Sequence, residues 1–272
     1  MSKGLRTGLM IILTLFLILC GVRVVTVKLP YWKSQQTYHR TSGQYTAPQR
    51  PDSVKTEKAE KEPETTAGNT GDARDPKRAD HAPISVDFDA LRKVNEDVVA
   101  WIYCEGTLID YPVLHGETND TYLYTLYTGE YNPSGSIFSD CSNAKGVVDS
   151  NIILYGHHML DGSMFASLKN WFDQGYYDAH PVMWYLTPEQ DYRVDLFAGY
   201  STTADSWVYT IYQGPSIQFD SYLQVVRNSS VFTTDVELDG NAHYLVLSTC
   251  AYNWDEYGDY RTVLHGKLVP VD

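Results

Sequence analysis

Basic residues are scarce in most of the chain. From Ile84 to Asp272 there are 8 Lys/Arg against 26 Asp/Glu, a balance of −18, whereas the residues up to Pro83 carry 13 against 8. Phosphate backbones are bound by clustered Lys and Arg, so this scarcity excludes nucleic acid as a partner. Large aliphatic residues are missing altogether from Ser34 to Ala82, which holds no Leu, Ile, Met, Phe, Trp or Cys. Such a stretch buries too little apolar area to offset the entropy of ordering it, so 34–83 is expected to be a disordered polar spacer. Cysteine occurs four times, never as C-x-x-C, and H-E-x-x-H is absent. The ligand spacings of a zinc site are therefore lacking, and neither metal nor cofactor is expected. Asp255, Glu256 and Asp259 lack the regular spacing of a calcium loop and read as a solvated acidic rim. No internal repeat and no strand-helix alternation suggests a solenoid or a parallel sheet.

What is present begins with an apolar run. Leu9 to Val22 is broken by one Thr, preceded by Lys3 and Arg6 and followed by Arg23. Gly8 to Val27 reaches membrane-spanning length if Arg23 snorkels to the interface, and no small-x-small cleavage site follows. Residues 1–33 therefore read as an uncleaved single-pass anchor rather than a cleaved signal peptide, with the rest of the chain on the extracellular face.

Residues 84–272 are long enough for one globular domain with a sizeable core. It contains Cys104, Cys141 and Cys250, and an odd count leaves at least one thiol free; Cys104 and Cys141 read as buried or idle thiols, a bridge between them being the alternative. In "ISVDFDALRKVNEDVVAWI", Phe88, Leu91, Val94, Val98 and Trp101 recur at three- and four-residue steps, which predicts a helix capped by Asp87. After Gly106 come short β-rich runs, among them "TLIDYPVL", "SNIILYGH", "YRVDLFAGYST", "HYLVLSTC" and "RTVLHGKLVPV", separated by Gly, Pro, Asn and Asp. They predict a mainly β fold, a mostly antiparallel barrel or sandwich. Two helical interruptions are expected, at "SMFASLKNWFD" and "FDSYLQVVRNS".

Three residue types at strand ends could carry chemistry together. Cys250 closes one apolar run, His157 closes another, and Arg261 opens the last strand across a short loop. A thiol is a nucleophile only as thiolate, a histidine beside it supplies the base and later the acid, and a guanidinium stabilises an oxyanion. Taken singly each has a plainer reading: a small core thiol, a structural histidine, a solvated charge. His158 competes with His157, because adjacent strand residues point to opposite faces and only one can face Cys250.

The words "VNEDVVAWI", "IDYPV", "NDTYL", "GSIF", "NIILYGH", "DGSMF", "LSTC" and "RTV", in that order through nearly the whole domain, closely resemble the class B sortases, membrane-anchored cysteine transpeptidases of Gram-positive bacteria. The resemblance implies a closed β-barrel of about eight strands with N-terminal helices and one or two inserted helices. It implies Cys250 as nucleophile, His157 as general acid/base and Arg261 as oxyanion or carbonyl stabiliser, with Asn119, Leu123, Tyr155 and Ser248 lining the peptide groove. The implied partners are an exported protein with a C-terminal sorting signal, cleaved after Thr, and an amine acceptor from a peptidoglycan precursor or a pilin subunit. A cysteine peptidase without transfer and a catalytically silent surface-binding module are the rival readings.

Overall fold

In a computed structural model, which describes residues 3–49, 81–250 and 259–271, the apolar run begins a single helix, α1 (Lys3–Tyr45), long and apolar enough to cross a membrane. Its large apolar side chains from Leu5 to Val25, and that of Leu29, are exposed, but Ser34, Tyr38, Thr41 and Tyr45 are buried. These four recur at helical spacing and form one face. Ser34 Oγ lies 2.8 Å from Ser134 Oγ, the Tyr38 hydroxyl donates to the Gly135 carbonyl at 2.6 Å, and Thr41 Oγ1 donates to the Tyr127 hydroxyl at 3.0 Å. The expectation of a disordered spacer is thus corrected for 34–48. Tyrosine rings supply the apolar area that aliphatic residues do not, and their hydroxyls find partners. β1 (Thr46–Pro48) follows directly and pairs antiparallel with β2 (Ile84–Val86). The rest of the expected spacer, 50–80, lies outside the described residues.

α2 (Phe88–Val94) is capped as anticipated, the Asp87 carboxylate accepting the Ala90 N–H at 2.9 Å. It is shorter than the periodicity suggested. Asn95 is extended, and Val98 and Trp101 lie on β3 (Val98–Tyr103). The segment "VVAWIY" is β-branched and aromatic, and Asn95 offers its own side chain to the Asp97 N–H at 3.0 Å, so the helix stops there.

β3 joins β4 (Asp110–Leu114), β5 (Ile137–Ser139), β6 (Asn151–Tyr155), β7 (Val182–Leu186), β8 (Asp191–Thr203), β9 (His243–Cys250) and β10 (Tyr260–Val271) in a closed barrel. The order around it is β10-β8-β7-β3-β4-β5-β6-β9, with β9 pairing back onto β10. The mainly β fold is the expected one. Most pairings are antiparallel, but β4–β5 and β6–β9 are parallel. Both predicted helical insertions occur: a 3-10 helix (Ala166–Phe172) followed by α3 (Gln174–Ala179), and α4 (Ile217–Ser229) after a short 3-10 turn at Trp207–Tyr209. Strand alternation sets two cores. Leu247 and Leu264 belong to the main one, while Val246 and Val263 face outward under Phe219, Tyr222 and Val226 of α4.

Candidate active site

The parallel register of β6 and β9 runs to Tyr155 opposite Ser248, and the antiparallel register of β9 and β10 sets Arg261 opposite Cys250. The ends of three strands therefore meet at one end of the barrel, and His157 follows two residues beyond β6. Asn119, Leu123, Tyr155, His157, Ser248 and Arg261 line a single cleft there, about 370 Å³ in volume. His157 lines it and His158 does not; His158 instead bridges to Met164. Residues 251–258, including Asp255 and Glu256 of the expected acidic rim, lie outside the described residues, and Asp259 is exposed.

His157 is fixed through its backbone and its ring. The Gly156 N–H donates to the Ser248 carbonyl at 3.2 Å, and the Phe165 N–H donates to the His157 carbonyl at 3.0 Å. A Cβ at position 156 would come within 2.8 Å of the buried Phe165 ring, so glycine is required beside the histidine. Met164 holds a left-handed φ of 56° immediately before Phe165, the kind of backbone strain that persists where the surroundings over-determine it. The words "YGH" and "SMF" are thus one structural unit. The imidazole packs on Tyr124, centroids 5.3 Å apart, and its Nε2 lies 2.7 Å from the Leu123 carbonyl. A carbonyl only accepts, so Nε2 carries the hydrogen and Nδ1 is left as the basic atom. Burial lowers the histidine's pKa below its ordinary value, more than the Leu123 carbonyl raises it. The ring is therefore neutral at neutral pH.

The remaining walls are held by polar contacts. Asp140 accepts from the Tyr155 hydroxyl at 2.9 Å and from Asn119 Nδ2 at 3.1 Å, while Asn119 Oδ1 accepts the Cys141 N–H at 2.8 Å. Burial first, then the Asp140 charge, pushes the Tyr155 phenol strongly upward, so it stays protonated. Ser248 Oγ lies 2.9 Å from the Tyr209 hydroxyl, and Tyr209 also lines the cleft. Asp140 and Tyr209 escaped sequence reasoning. Tyr209 sits on an isolated turn with no periodicity, and only the strand-end position of Asp140 in "GSIFSD" offered a signal. The half-buried Arg261 donates from Nη1 to the Tyr260 carbonyl at 3.0 Å and brings a permanent positive charge to the cleft.

Cys104, another thiol of the domain, is unlike a nucleophile. Cys104 and Cys141 are both free, so no bridge joins them. Cys104 is buried, its Sγ lies 3.6 Å from the Val182 carbonyl, and burial pushes the thiol up to about 12. A thiol that holds its proton at neutral pH is inert.

No family model matches the chain. It is 41% identical over 179 residues to the sortase B of Listeria monocytogenes, covering 66% of this chain and 72% of that protein. A solved Staphylococcus aureus sortase B–substrate complex superposes with a TM-score of 0.64 at 32% identity, covering 68% of this chain and 85% of that one. The sortase B solved in complex with triglycine gives 0.63 at 32% identity, with 68% and 86% covered.

Proposed function

The chain belongs to the class B sortases, a family of cysteine transpeptidases, and from that premise we propose that it joins exported proteins bearing a C-terminal sorting signal to a cell-surface amine. The observation that carries the reading is the one cleft holding His157 and Arg261 at the end of the barrel where the strand of Cys250 terminates.

The chemistry is two-step acyl transfer. His157 Nδ1 takes the thiol proton of Cys250, and the thiolate attacks the Thr carbonyl of the sorting signal. Arg261 stabilises the tetrahedral oxyanion, which collapses to a thioester as the C–N bond breaks and the departing amine receives the proton from His157. An acceptor amine then attacks the thioester, returns a proton through His157 and expels Cys250. Because burial disfavours imidazolium, His157 rests neutral and is available as the base. Asn119, Leu123, Tyr155 and Ser248 form the peptide-binding walls.

The relatives solved with substrate and with triglycine support a peptide donor and an amine-bearing acceptor, here a peptidoglycan precursor or a pilin amine. Residues 84–272 form the catalytic domain, with 34–48 docked on it. The apolar part of α1, within residues 1–33, anchors the chain in the cell membrane with the catalytic domain on the extracellular face.

The test is incubation of the full chain with a panel of sorting-type peptides, with and without amine acceptors, read by mass. A ligated product that requires the amine and disappears in Cys250→Ala is the expected result. Hydrolysed peptide regardless of amine identifies a cysteine peptidase, and a Cys250→Ala variant indistinguishable from the parent identifies a silent binding module.

A further inference from the structure

Building on the reading of α1 as a membrane anchor, we propose that the barrel itself carries a second membrane contact, an aromatic and apolar face around Tyr131 and Leu160 that rests on the lipid surface beside the cleft. Spanning takes about 20 residues, which Gly8 to Val27 supply. At about 1.5 Å per residue, Pro30 lies about 5 Å beyond the hydrocarbon edge, in the headgroup layer, and Lys33 about 9 Å beyond it, just outside that layer. The barrel already touches the helix at that depth. Asn132 Nδ2 donates to the Pro30 carbonyl at 3.0 Å, and Lys33 Nζ lies 2.8 Å from Glu130. Tyr131, between these two contacts and bridged to Thr125, therefore sits at the outer edge of the headgroups, and it is 78% exposed.

On another loop, Asp161 accepts from Gln35 Nε2 at 3.2 Å, and the neighbouring Leu160 is 89% exposed. The helix adds Trp32, itself 56% exposed. Exposed aromatic rings at the depth of the interface are how membrane proteins fix their height and tilt. The domain's balance of −18 gives it no electrostatic attraction to an anionic leaflet, so the contact rests on the rings and the leucine alone. The face adjoins the cleft, since Tyr131 packs 6.4 Å from Tyr124, and Tyr124 packs on His157. The lipid surface thereby becomes a neighbour of the acyl-transfer site.

The test uses full-length protein in phospholipid vesicles, with a photo-crosslinking phenylalanine at one position at a time and lipid adducts mapped by mass. Leu13 reports the anchor. Tyr131 and Leu160 report the proposed face. Ile217, 81% exposed on α4, reports the opposite side of the barrel, because α4 packs on β8 whereas α1 packs on β4. Adducts are expected at Leu13, Tyr131 and Leu160, the last two at least tenfold above Ile217. Adducts at Leu13 with Tyr131 and Leu160 no higher than Ile217 overturn the proposal and leave the anchor intact. No adduct at Leu13 overturns the anchor and the proposal with it.

Discussion

At the scale of single residues, the account turns on Arg261 acting as a positioned donor. Lysine keeps its charge but loses the planar fork, so Arg261→Lys should lower kcat/KM by about 10²–10³-fold, mostly in kcat, as expected when one oxyanion donor is lost. Steady-state transpeptidation assays check this, and an unchanged kcat would remove Arg261 from the chemistry. That His157 and Arg261 come to one cleft, at the barrel end where the strand of Cys250 terminates, was legible in the sequence because each of the three closes or follows an apolar run within a distinctive word. The contacts that hold His157 were not. They join Leu123, Tyr124 and Phe165, residues whose separation along the chain gives no pattern until the barrel closes. Asp140 is hidden for the same reason, as the meeting point of Tyr155 and Asn119.

At the scale of elements, the end of α1 behaves as part of the domain. Starting the chain at Ile84 strips Tyr38 and Tyr45 from the main core and leaves the Gly135 carbonyl without the Tyr38 hydroxyl. A burial loss of this kind costs about 1.5–3 kcal/mol per large side chain, and about 1 kcal/mol shifts the midpoint by about 2–4 °C in a domain of this size. A chain beginning at Ile84 should therefore melt several degrees below one beginning at Tyr31, by differential scanning calorimetry. Equal melting points would mean that the helix end adds nothing. Strand positions were readable from alternation and turn residues, and α4 from its apolar spacing. The helix proposed through Trp101 was not, because "VVAWI" satisfies helical spacing by chance while its β-branched and aromatic residues favour the sheet. The docking of 34–48 was missed because composition counts aliphatic residues and undervalues tyrosine.

At the scale of the whole molecule, one buried group ties stability to acid. His265 on β10 is fully buried, stacked on Tyr200 at 5.5 Å, edged by Tyr222 and tilted against Phe197, and burial lowers its pKa to about 3. Since this lies below the ordinary value of 6.5, the unfolded chain takes up the proton first. Stability from this group is therefore complete above about pH 6.5 and is lost progressively as the pH falls toward about 3. His265→Phe preserves the stack without the titration, so its melting temperature should fall less than the parent's between pH 7 and pH 4.5. Parallel declines would contradict the assignment.

The strand register sets Cys250 opposite Arg261 at the end of the barrel where the cleft lies, and the proposal makes Cys250, rather than the two other thiols of the domain, the carrier of the acyl group. The most direct measurement is peptide mapping of the acyl-enzyme formed when the full chain meets a sorting-type peptide in the absence of an amine. The account predicts a thioester on the peptide containing Cys250 that is discharged on adding the acceptor. An adduct on Cys104 or Cys141, or a product formed with no thioester on any cysteine, would contradict it.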